Sequence, residues 1–193
     1  MHKSQELLEK NEFRANAKKI RQNVINPLDK SKSILNSLIN LPEFQNANTV
    51  FSYMSINTEV CTKAINSYIL DKKKTLALPK VLNKSMEFFQ VTNIENDVCK
   101  GFFNILEPKE NLQKTKNFDV ILVPAVAFSK IGHRIGYGAG FYDRYLSDKN
   151  GIFIGIAFDE QIFKSIPIDE FDIKMDILVT PTQILRNGFP EHY

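Results

Sequence analysis

Short, almost continuous runs of apolar residues recur along the chain and alternate with segments of helical spacing. This alternation restricts the fold most, because a strand that is apolar at nearly every position must be buried on both faces of a sheet. The runs predict strands at residues 49–54, 75–81, 86–92, 119–123 and 151–157, and a last strand at 177–180. Helices are predicted at residues 4–25, 31–41, 60–73, 141–146 and 160–165. We therefore expect an α/β fold, a three-layer sandwich whose largely parallel, mixed central sheet is covered by helices on both faces.

The length of 193 residues fits one domain spanning residues 1–193, with no internal repeat and no low-complexity linker. The hydrophobic fraction of 43% and the charged fraction of 24% are typical of a globular domain. No apolar run is long enough to span a membrane, and the first ten residues are polar and mixed in charge, unlike a secretory signal. We expect a cytoplasmic monomer with no membrane partner.

Cysteine content and net charge exclude several classes of site. Cys61 and Cys99 are far apart in the chain and have no histidine at ligand spacing, which argues against a zinc site and against a disulfide framework. The net charge of +3 is mild and the basic residues are dispersed, so nothing in the sequence prompts a nucleic-acid partner. A small anionic ligand would suit the same positive surplus.

The segment after the apolar run at 119–123 is rich in glycine. Four of the eight glycines, Gly132, Gly136, Gly138 and Gly140, fall within nine positions, and a helical segment follows. Glycine at this density predicts backbone with positive φ angles or a close approach to a ligand. Amide groups at the start of a helix form an anion-binding concavity, and Arg134 adds a forked cation. The simplest ligand is a phosphate.

The glycine segment matches neither common nucleotide motif. The P-loop pattern is absent, and the spacing here is Gly-x-Gly-x-Gly rather than the dinucleotide fingerprint. One interpretation is a purely structural turn between strand and helix. The combination of Arg134, Tyr137, Tyr142 and Asp143 favours a binding site, because a turn alone does not require a cation, aromatic rings and a carboxylate.

Other polar residues have two interpretations each. Lys10, Arg14 and Arg21 share one helical face, which is either a solvated surface or part of a site. Glu59 follows a strand and either stabilises the first turn of the next helix or faces a cleft, and Lys80 faces either a ligand or solvent. Because ligands bind at the carboxyl ends of parallel strands, Glu59, the glycine segment and Asp172 are expected to converge on one cleft.

The motif IGHRIGYGAGFYDRYL at residues 131–146 resembles the signature of the 5-formyltetrahydrofolate cyclo-ligase family, usually G-x-R-L-G-Y/R-G-x-G-Y-Y-D. The resemblance extends over nearly the whole chain. KNEFR at 10–14 is similar to the family's K-x-x-L-R, Glu59 to its substrate glutamate, residues 101–108 to G-x-F-G-I-x-E-P, and residues 167–172 to P-x-x-x-H-D.

The resemblance implies an enzyme that uses ATP and Mg²⁺ to convert 5-formyltetrahydrofolate into 5,10-methenyltetrahydrofolate, with release of ADP and phosphate. In the family the formyl oxygen attacks the γ-phosphate, N10 then attacks the activated carbon, and phosphate leaves. Cations and a metal stabilise such a phosphoryl transfer, and no protein nucleophile is needed. The alternative is a non-catalytic anion- or RNA-binding paralogue on the same fold.

The resemblance also implies a role for each matching residue. Those assigned to catalysis are Arg134, Glu59 and Tyr142. Those assigned to ATP are Lys10, Arg14, Arg134, Gly136, Tyr137, Gly138, Ala139, Gly140, Phe141 and Tyr142. The folate would contact Tyr53, Met54, Glu59, Tyr137, Gly138, Ala139, Gly140 and Phe141. Mg²⁺ would be held by Asp143 and Asp172, while Arg21, Lys80 and Glu107 would be supporting or structural residues.

Four positions depart from the family pattern. Phe171 stands in place of a histidine, Phe141 in place of a tyrosine, Ser129 in place of an aspartate and Asn104 in place of a glycine. These changes remove an imidazole and a hydroxyl but leave the expected metal carboxylates, so we expect them to affect kinetics more than the reaction.

Overall fold

The computed structural model describes residues 2–83, 85–101 and 105–187. The helices in these ranges are α1 (His2–Gln22), α2 (Pro27–Ile39), α3 (Pro42–Asn46), α4 (Lys63–Asp71), α5 (Ile94–Asp97) and α6 (Phe141–Leu146). The first strands are β1 (Thr49–Phe51), β2 (Thr75–Leu82), β3 (Ser85–Val91), β4 (Val98–Lys100), β5 (Leu106–Pro108), β6 (Lys114–Thr115) and β7 (Val120–Val123). The remaining strands are β8 (Ala127–Ser129), β9 (Arg134–Ile135), β10 (Ile152–Ile156), β11 (Ile162–Phe163), β12 (Ile177–Val179) and β13 (Ile184–Arg186).

The central sheet has eight strands in the order β13-β12-β10-β7-β1-β2-β3-β6. Strands β12, β10, β7, β1 and β2 pair in parallel, whereas β13, β3 and β6 pair antiparallel at the two sides. The chain order of the parallel strands reverses between β1 and β7. Such a switch point leaves a crevice at the carboxyl ends of the two strands, where α/β proteins bind ligands.

Alternate side chains of the central strands enter two separate cores. In β7, Val120 and Leu122 pack into the core that contains α2, α3 and α4. Ile121 and Val123 pack into the core on the opposite face, with Leu146 of α6 and Phe128 of β8. This period-2 burial on both faces is the physical basis of the apolar runs. The expected α/β class with a largely parallel, mixed sheet is confirmed.

The glycine segment contains more regular structure than a loop. Strands β8 and β9 form an antiparallel pair, and β11 joins them in a second sheet of order β11-β8-β9. Helix α1 covers this small sheet: Ala17 is buried with Val126 and Ile135, and the ring of Phe13 lies 5.0 Å from that of Phe163. The N-terminal helix is therefore packed beside the glycine segment.

Several predicted element ends differ from the structure. Pro27 and Pro42 begin α2 and α3, because proline is tolerated in the first turn of a helix. The predicted helix at 160–165 is wrong: a 3-10 turn covers Asp159–Gln161, and β11 follows it. The strand at 177–180 is not the last one, since β13 pairs with it.

Lys84, between the strands predicted at 75–81 and 86–92, and Asn104, in the 101–108 motif, lie outside the described residues. No helix in the described ranges combines the length and the apolar character needed to cross a membrane.

Candidate functional site

A cleft of about 1080 Å³ opens at the carboxyl ends of the central parallel strands. Its walls come from α1, from the segments that follow β1 and β7, from the glycine segment with the start of α6, and from the segment before Met175. Every residue to which the sequence assigned a catalytic, ATP, folate or metal role lies on this wall. The structure thus brings all of these residues together, while their individual roles remain predictions.

The backbone of the glycine segment forms one wall of the cleft. Gly138 and Gly140 have φ angles of 107° and 65°, in the region that favours glycine. A Cβ atom at Gly138 would lie 3.5 Å from the guanidinium carbon of Arg14, and Arg14 Nε donates to the carbonyl oxygen of Gly136 at 2.8 Å. The glycine segment and α1 therefore contact each other directly in the wall of the cleft.

Lys10 connects α1 to the acidic segment before Met175. Its Nζ lies 2.6 Å from Asp169 Oδ2 and 2.7 Å from Asp172 Oδ2. Lys10 is only 9% exposed, so this part of the basic stripe is not a solvated surface. Two carboxylates therefore neutralise the lysine where the sequence predicts phosphate and metal binding.

Arg134 forms the second cation–carboxylate pair of the cleft. It is 4% exposed, and its Nη2 donates to Asp143 Oδ1 at 2.7 Å. Burial lowers the pKa of Arg134, and the nearby Asp143 carboxylate opposes that shift. The backbone N–H of Ile173 also donates to Asp143 Oδ1, at 3.2 Å. The Asp143 carboxylate therefore joins Arg134 to the backbone at Ile173, a connection that the sequence does not show.

Two buried polar atoms near this pair lack a hydrogen-bond partner among the described residues. They are Arg134 Nε and the hydroxyl of Tyr142, and the guanidinium carbon of Arg134 lies 5.9 Å from the Tyr142 ring centroid. Buried polar groups in proteins are normally paired, and each exception requires an explanation. Because both side chains line the cleft, a bound ligand that pairs with them is a direct explanation.

Glu59 belongs to a network that crosses the other side of the cleft. The hydroxyl of Tyr137 donates to Glu59 Oε1, and the backbone N–H of Ile56 donates to Glu59 Oε2 at 2.8 Å. Arg21 Nη2 in turn donates to the Tyr137 hydroxyl at 3.0 Å. Helix α4 begins only at Lys63 and has no acidic residue in its first turn, so Glu59 is a cleft residue and not a helix-terminal charge.

Burial dominates the proton equilibria around Glu59. It raises the pKa of the Glu59 carboxyl, while hydrogen bonds from Tyr137 and Ile56 and the charge of Arg21 oppose the shift. It also raises the pKa of the Tyr53, Tyr137 and Tyr142 hydroxyls, with a further contribution from the charge of Glu59. The three phenols therefore stay protonated and can donate hydrogen bonds at neutral pH.

The end of the cleft near β2 and β3 is mainly apolar, lined by Tyr53, Met54, Pro79, Val81, Met86 and Ile105. Glu107 also lies on this wall. Lys80 faces neither ligand nor solvent: it is 8% exposed, its Nζ donates to the Pro108 carbonyl at 3.2 Å, and Glu107 Oε2 is 3.9 Å away. The alternation along β2 directs Lys80 away from the cleft and against β5.

Asp143 and Asp172 are the described carboxylates that the sequence assigned to Mg²⁺. Both line the cleft, and both are paired with a cation of the protein. In the part of the chain that the structure describes, no three His, Cys, Asp or Glu side chains are grouped to hold a metal ion. Mg²⁺ needs no such group, because it usually takes one or two carboxylates together with phosphate oxygens and water. The donor set therefore fits.

Asp169 was not identified from the sequence, although it contacts Lys10 and lines the cleft. The signal that the sequence offers is its position three residues before Asp172. In the structure, the Asp169 N–H donates to Asp172 Oδ2 at 2.7 Å. Pro79, Val81 and Met86 were missed for a different reason. An apolar side chain on a cleft wall cannot be distinguished by pattern from one in the core.

The structure describes the surroundings of three of the residues that depart from the family pattern. Phe171 is 75% exposed. The Phe141 ring has the guanidinium carbon of Arg144 at 5.2 Å from its centroid. Ser129 Oγ accepts from the His133 N–H at 3.2 Å and so supports the turn between β8 and β9.

Comparison with known proteins identifies what the chain resembles. Residues 6–181 match the model of the 5-formyltetrahydrofolate cyclo-ligase family. The chain is 30% identical to a probable 5-formyltetrahydrofolate cyclo-ligase of Schizosaccharomyces pombe over 93% of its own length and 98% of the relative's. It is 31% identical to the 5-formyltetrahydrofolate cyclo-ligase of Haemophilus influenzae over 87% and 96% of the two lengths. The structure of Aquifex aeolicus 5,10-methenyltetrahydrofolate synthetase superimposes with a TM-score of 0.85 at 32% identity, covering 95% of both chains.

Proposed function

The chain belongs to the 5-formyltetrahydrofolate cyclo-ligase family, and we propose that it converts 5-formyltetrahydrofolate and ATP into 5,10-methenyltetrahydrofolate, ADP and phosphate, with Mg²⁺. The observation that carries the proposal is the chemistry of this cleft. One side is lined by cations, carboxylates and the backbone of the glycine segment, and the other by aromatic and aliphatic side chains beside Glu59. A triphosphate suits the first side and a pterin ring the second.

The triphosphate would bind to Lys10, Arg14, Arg134 and the amides between Gly136 and Tyr142. Arg134 supports this assignment best, because its buried Nε has no partner among the residues that the structure describes while its Nη2 is paired. An incoming phosphate oxygen would complete the hydrogen bonding of the guanidinium. As charge spreads over the transferred phosphoryl group, a buried and already oriented cation stabilises it without further reorganisation.

Asp143 and Asp172 would hold Mg²⁺, which supplies neutralisation of the phosphate oxygens during transfer. Each carboxylate is now paired with a cation that the triphosphate would engage: Asp143 with Arg134 and Asp172 with Lys10. Metal and nucleotide binding would therefore exchange the partners of both pairs and leave Arg134, Lys10, Asp143 and Asp172 compensated.

The folate would lie against Tyr53 and Met54, with Glu59 near the reacting nitrogens. In the proposed sequence the formyl oxygen attacks the γ-phosphorus and ADP leaves. N10 then attacks the activated formyl carbon, and the C–O bond breaks to release phosphate. The Tyr142 hydroxyl is protonated and unpaired among the described residues, so it is available to donate to the formyl or phosphoryl oxygen. Glu59 would orient the ring and accept a proton or hydrogen bond from it.

The carboxylates argue against the alternative of a non-catalytic anion- or RNA-binding protein. Glu59, Asp143 and Asp172 all line the cleft beside the cations. A polyanion binder gains nothing from negative charge at its site, whereas a Mg²⁺-dependent phosphoryl transfer requires it.

The direct test mixes the purified protein with 5-formyltetrahydrofolate, ATP and Mg²⁺, and follows the absorbance of the methenyl product together with ADP release. Turnover should require all three components and stop on addition of EDTA. Asp172→Asn should lower kcat by roughly 100-fold or more, because the metal contributes several kcal/mol and each 1.4 kcal/mol is a factor of ten. Asp172 is preferred to Asp143 for this test since Lys10 keeps Asp169 as a partner.

Asp148→Asn is the matched control. Asp148 lies just after α6, pairs with Lys149 and is not on the cleft wall, so its kcat should equal that of the unmodified protein. Absence of methenyl product from the unmodified protein would refute the proposed function. Full activity of Asp172→Asn would remove that carboxylate from the metal site.

A further inference from the structure

Arg21 is a buried cation whose hydrogen bonds within the described part of the chain go to uncharged groups. It is 5% exposed. Its Nε donates to Thr58 Oγ1 at 3.0 Å, its Nη1 to the Ala125 carbonyl at 3.2 Å, and its Nη2 to the Tyr137 hydroxyl at 3.0 Å. Burying a charge is costly unless a counter-charge is near. The arrangement therefore requires an anion beyond these first contacts.

That anion is Glu59, which Arg21 reaches through the phenol of Tyr137. The phenol oxygen accepts from Arg21 and its proton is donated to Glu59 Oε1. Because Arg21 has only donors, the Tyr137 hydroxyl cannot donate back to it and must direct its proton to the carboxylate. The three groups form an ion pair that is bridged by a neutral phenol.

The network also fixes the glycine segment to two distant parts of the chain. Arg21 belongs to α1, Tyr137 to the glycine segment and Glu59 to the connection between β1 and α4. The backbone on either side of Tyr137 is glycine, which by itself constrains the side chain little. Nearly half of Tyr137 is exposed, so apolar packing does not hold the ring in place. The hydrogen bonds to Arg21 and Glu59 supply the constraint.

We infer that Arg21 is a positioning residue for the folate side of the cleft: through the Tyr137 hydroxyl it orients Glu59 and supplies the counter-charge of its carboxylate. The kinetic part of this inference rests on the function proposed above, whereas the electrostatic part concerns the free protein. Arg21 was assigned from the sequence only a supporting role.

The groups that face Glu59 come from several elements. Arg21 and Lys18 lie on α1, with Lys18 Nζ at 5.5 Å from the Tyr137 ring centroid. Tyr53 follows β1, Tyr137 lies in the glycine segment and Tyr142 is on α6, and all three interact with the charge of Glu59. Among the groups that shift the pKa of Glu59, Arg21 supplies the positive charge that lowers it.

The first experiment measures the Glu59 carboxyl pKa in the free protein by carbon-13 NMR, with Glu59→Gln to assign the resonance. Removing the cation in Arg21→Gln should raise the Glu59 pKa, because the ionised form loses its counter-charge. Arg21→Lys should restore much of the original value. The control Lys19→Gln removes an exposed charge from the same helix and should leave the Glu59 pKa unchanged. An unchanged Glu59 pKa in Arg21→Gln would overturn the inference.

The second experiment is a double-mutant cycle on kcat/KM for 5-formyltetrahydrofolate with Arg21→Gln, Tyr137→Phe and the combined variant. Each single variant should lower kcat/KM by about tenfold, with the KM for ATP unchanged in Arg21→Gln, and the combined variant should be little worse than either. The acidic limb of the pH profile should move to higher pH in Arg21→Gln, since activity is lost as Glu59 is protonated at a higher pH. Independent, multiplying losses would show that Arg21 does not act through Tyr137.

The two experiments separate the failure of this inference from that of the proposed function. If the unmodified protein does not convert 5-formyltetrahydrofolate, the proposed function fails and the NMR titration still decides the role of Arg21. A purely structural Arg21 would lower the melting temperature of Arg21→Gln without changing the Glu59 pKa, and that outcome also overturns the inference.

Discussion

Single residues of the cleft contain polar atoms that the folded chain leaves unsatisfied. The Tyr142 hydroxyl and Arg134 Nε are the examples on the cleft wall, within the described residues. An unpaired buried hydroxyl destabilises the fold by about 1–3 kcal/mol. Proteins keep such strain mainly at functional sites, where a ligand relieves it.

Tyr142→Phe should therefore stabilise the ligand-free protein while it weakens catalysis. The variant removes the unpaired hydroxyl and keeps the ring that lies over Arg134, so the free energy of unfolding should increase by about 1 kcal/mol. The melting temperature should rise by roughly 2–4 °C for a protein of this size, and kcat should fall. Scanning calorimetry and the methenyl absorbance assay measure the two effects.

Tyr145→Phe on the same helix is the control. Tyr145 is half-buried, burial raises its pKa to about 12, and it is not on the cleft wall. Tyr145→Phe should show neither the lower kcat nor the higher stability that we expect of Tyr142→Phe. A less stable Tyr142→Phe would show that the hydroxyl has a partner in solution.

At the scale of elements, the glycine segment contains a structural turn and also lines the cleft. Gly132 has a φ angle of 87°, its carbonyl accepts from the Met175 N–H at 2.9 Å, and a Cβ atom there would lie 2.5 Å from the Met175 carbonyl oxygen. Gly136 differs, since among the described residues its Cβ atom would meet only Arg134 Nη1, at 3.5 Å. The turn interpretation of the glycine motif therefore applies to Gly132, while the binding interpretation of Gly136 stays a prediction.

Gly132→Ala should destabilise the protein by about 2 kcal/mol or more, because it adds a backbone clash to an unfavourable φ angle. The melting temperature should fall by roughly 4–8 °C. Gly136→Ala is the control for stability and should change the free energy of unfolding by about 1 kcal/mol or less. Equal melting temperatures for the two variants would contradict the assignment of Gly132 to the turn.

On the scale of the whole molecule, ion pairs in the cleft join segments that are remote in sequence. Lys10 pairs with Asp172 and Arg134 with Asp143. ATP alone would engage the cations and leave the partly buried carboxylates without counter-charges, and Mg²⁺ alone would do the reverse. The two ligands should therefore bind much better together than separately.

Thermal unfolding measures this coupling. At 100 times its dissociation constant MgATP should add about 2.7 kcal/mol of stability, which corresponds to roughly 5–10 °C. ATP with EDTA should give a clearly smaller shift, and Lys10→Ala should reduce the MgATP shift, whereas exposed Lys32→Ala should not. Equal shifts with and without Mg²⁺ would argue against the exchange of ion-pair partners.

The sequence by itself determined the class of the sheet and the segment around which the cleft forms. Apolar runs such as 120–123 indicate strands that are buried on both faces, and clustered glycines indicate backbone with positive φ angles. Both features can be predicted because each depends on a short stretch of sequence. Only the tertiary structure decided which charges belong to the cleft. Lys10 and Asp172 are 162 positions apart, and Lys80 is equally basic yet packs against β5 instead. The partner of a charged side chain depends on where distant segments meet, and that is set by packing of the whole chain.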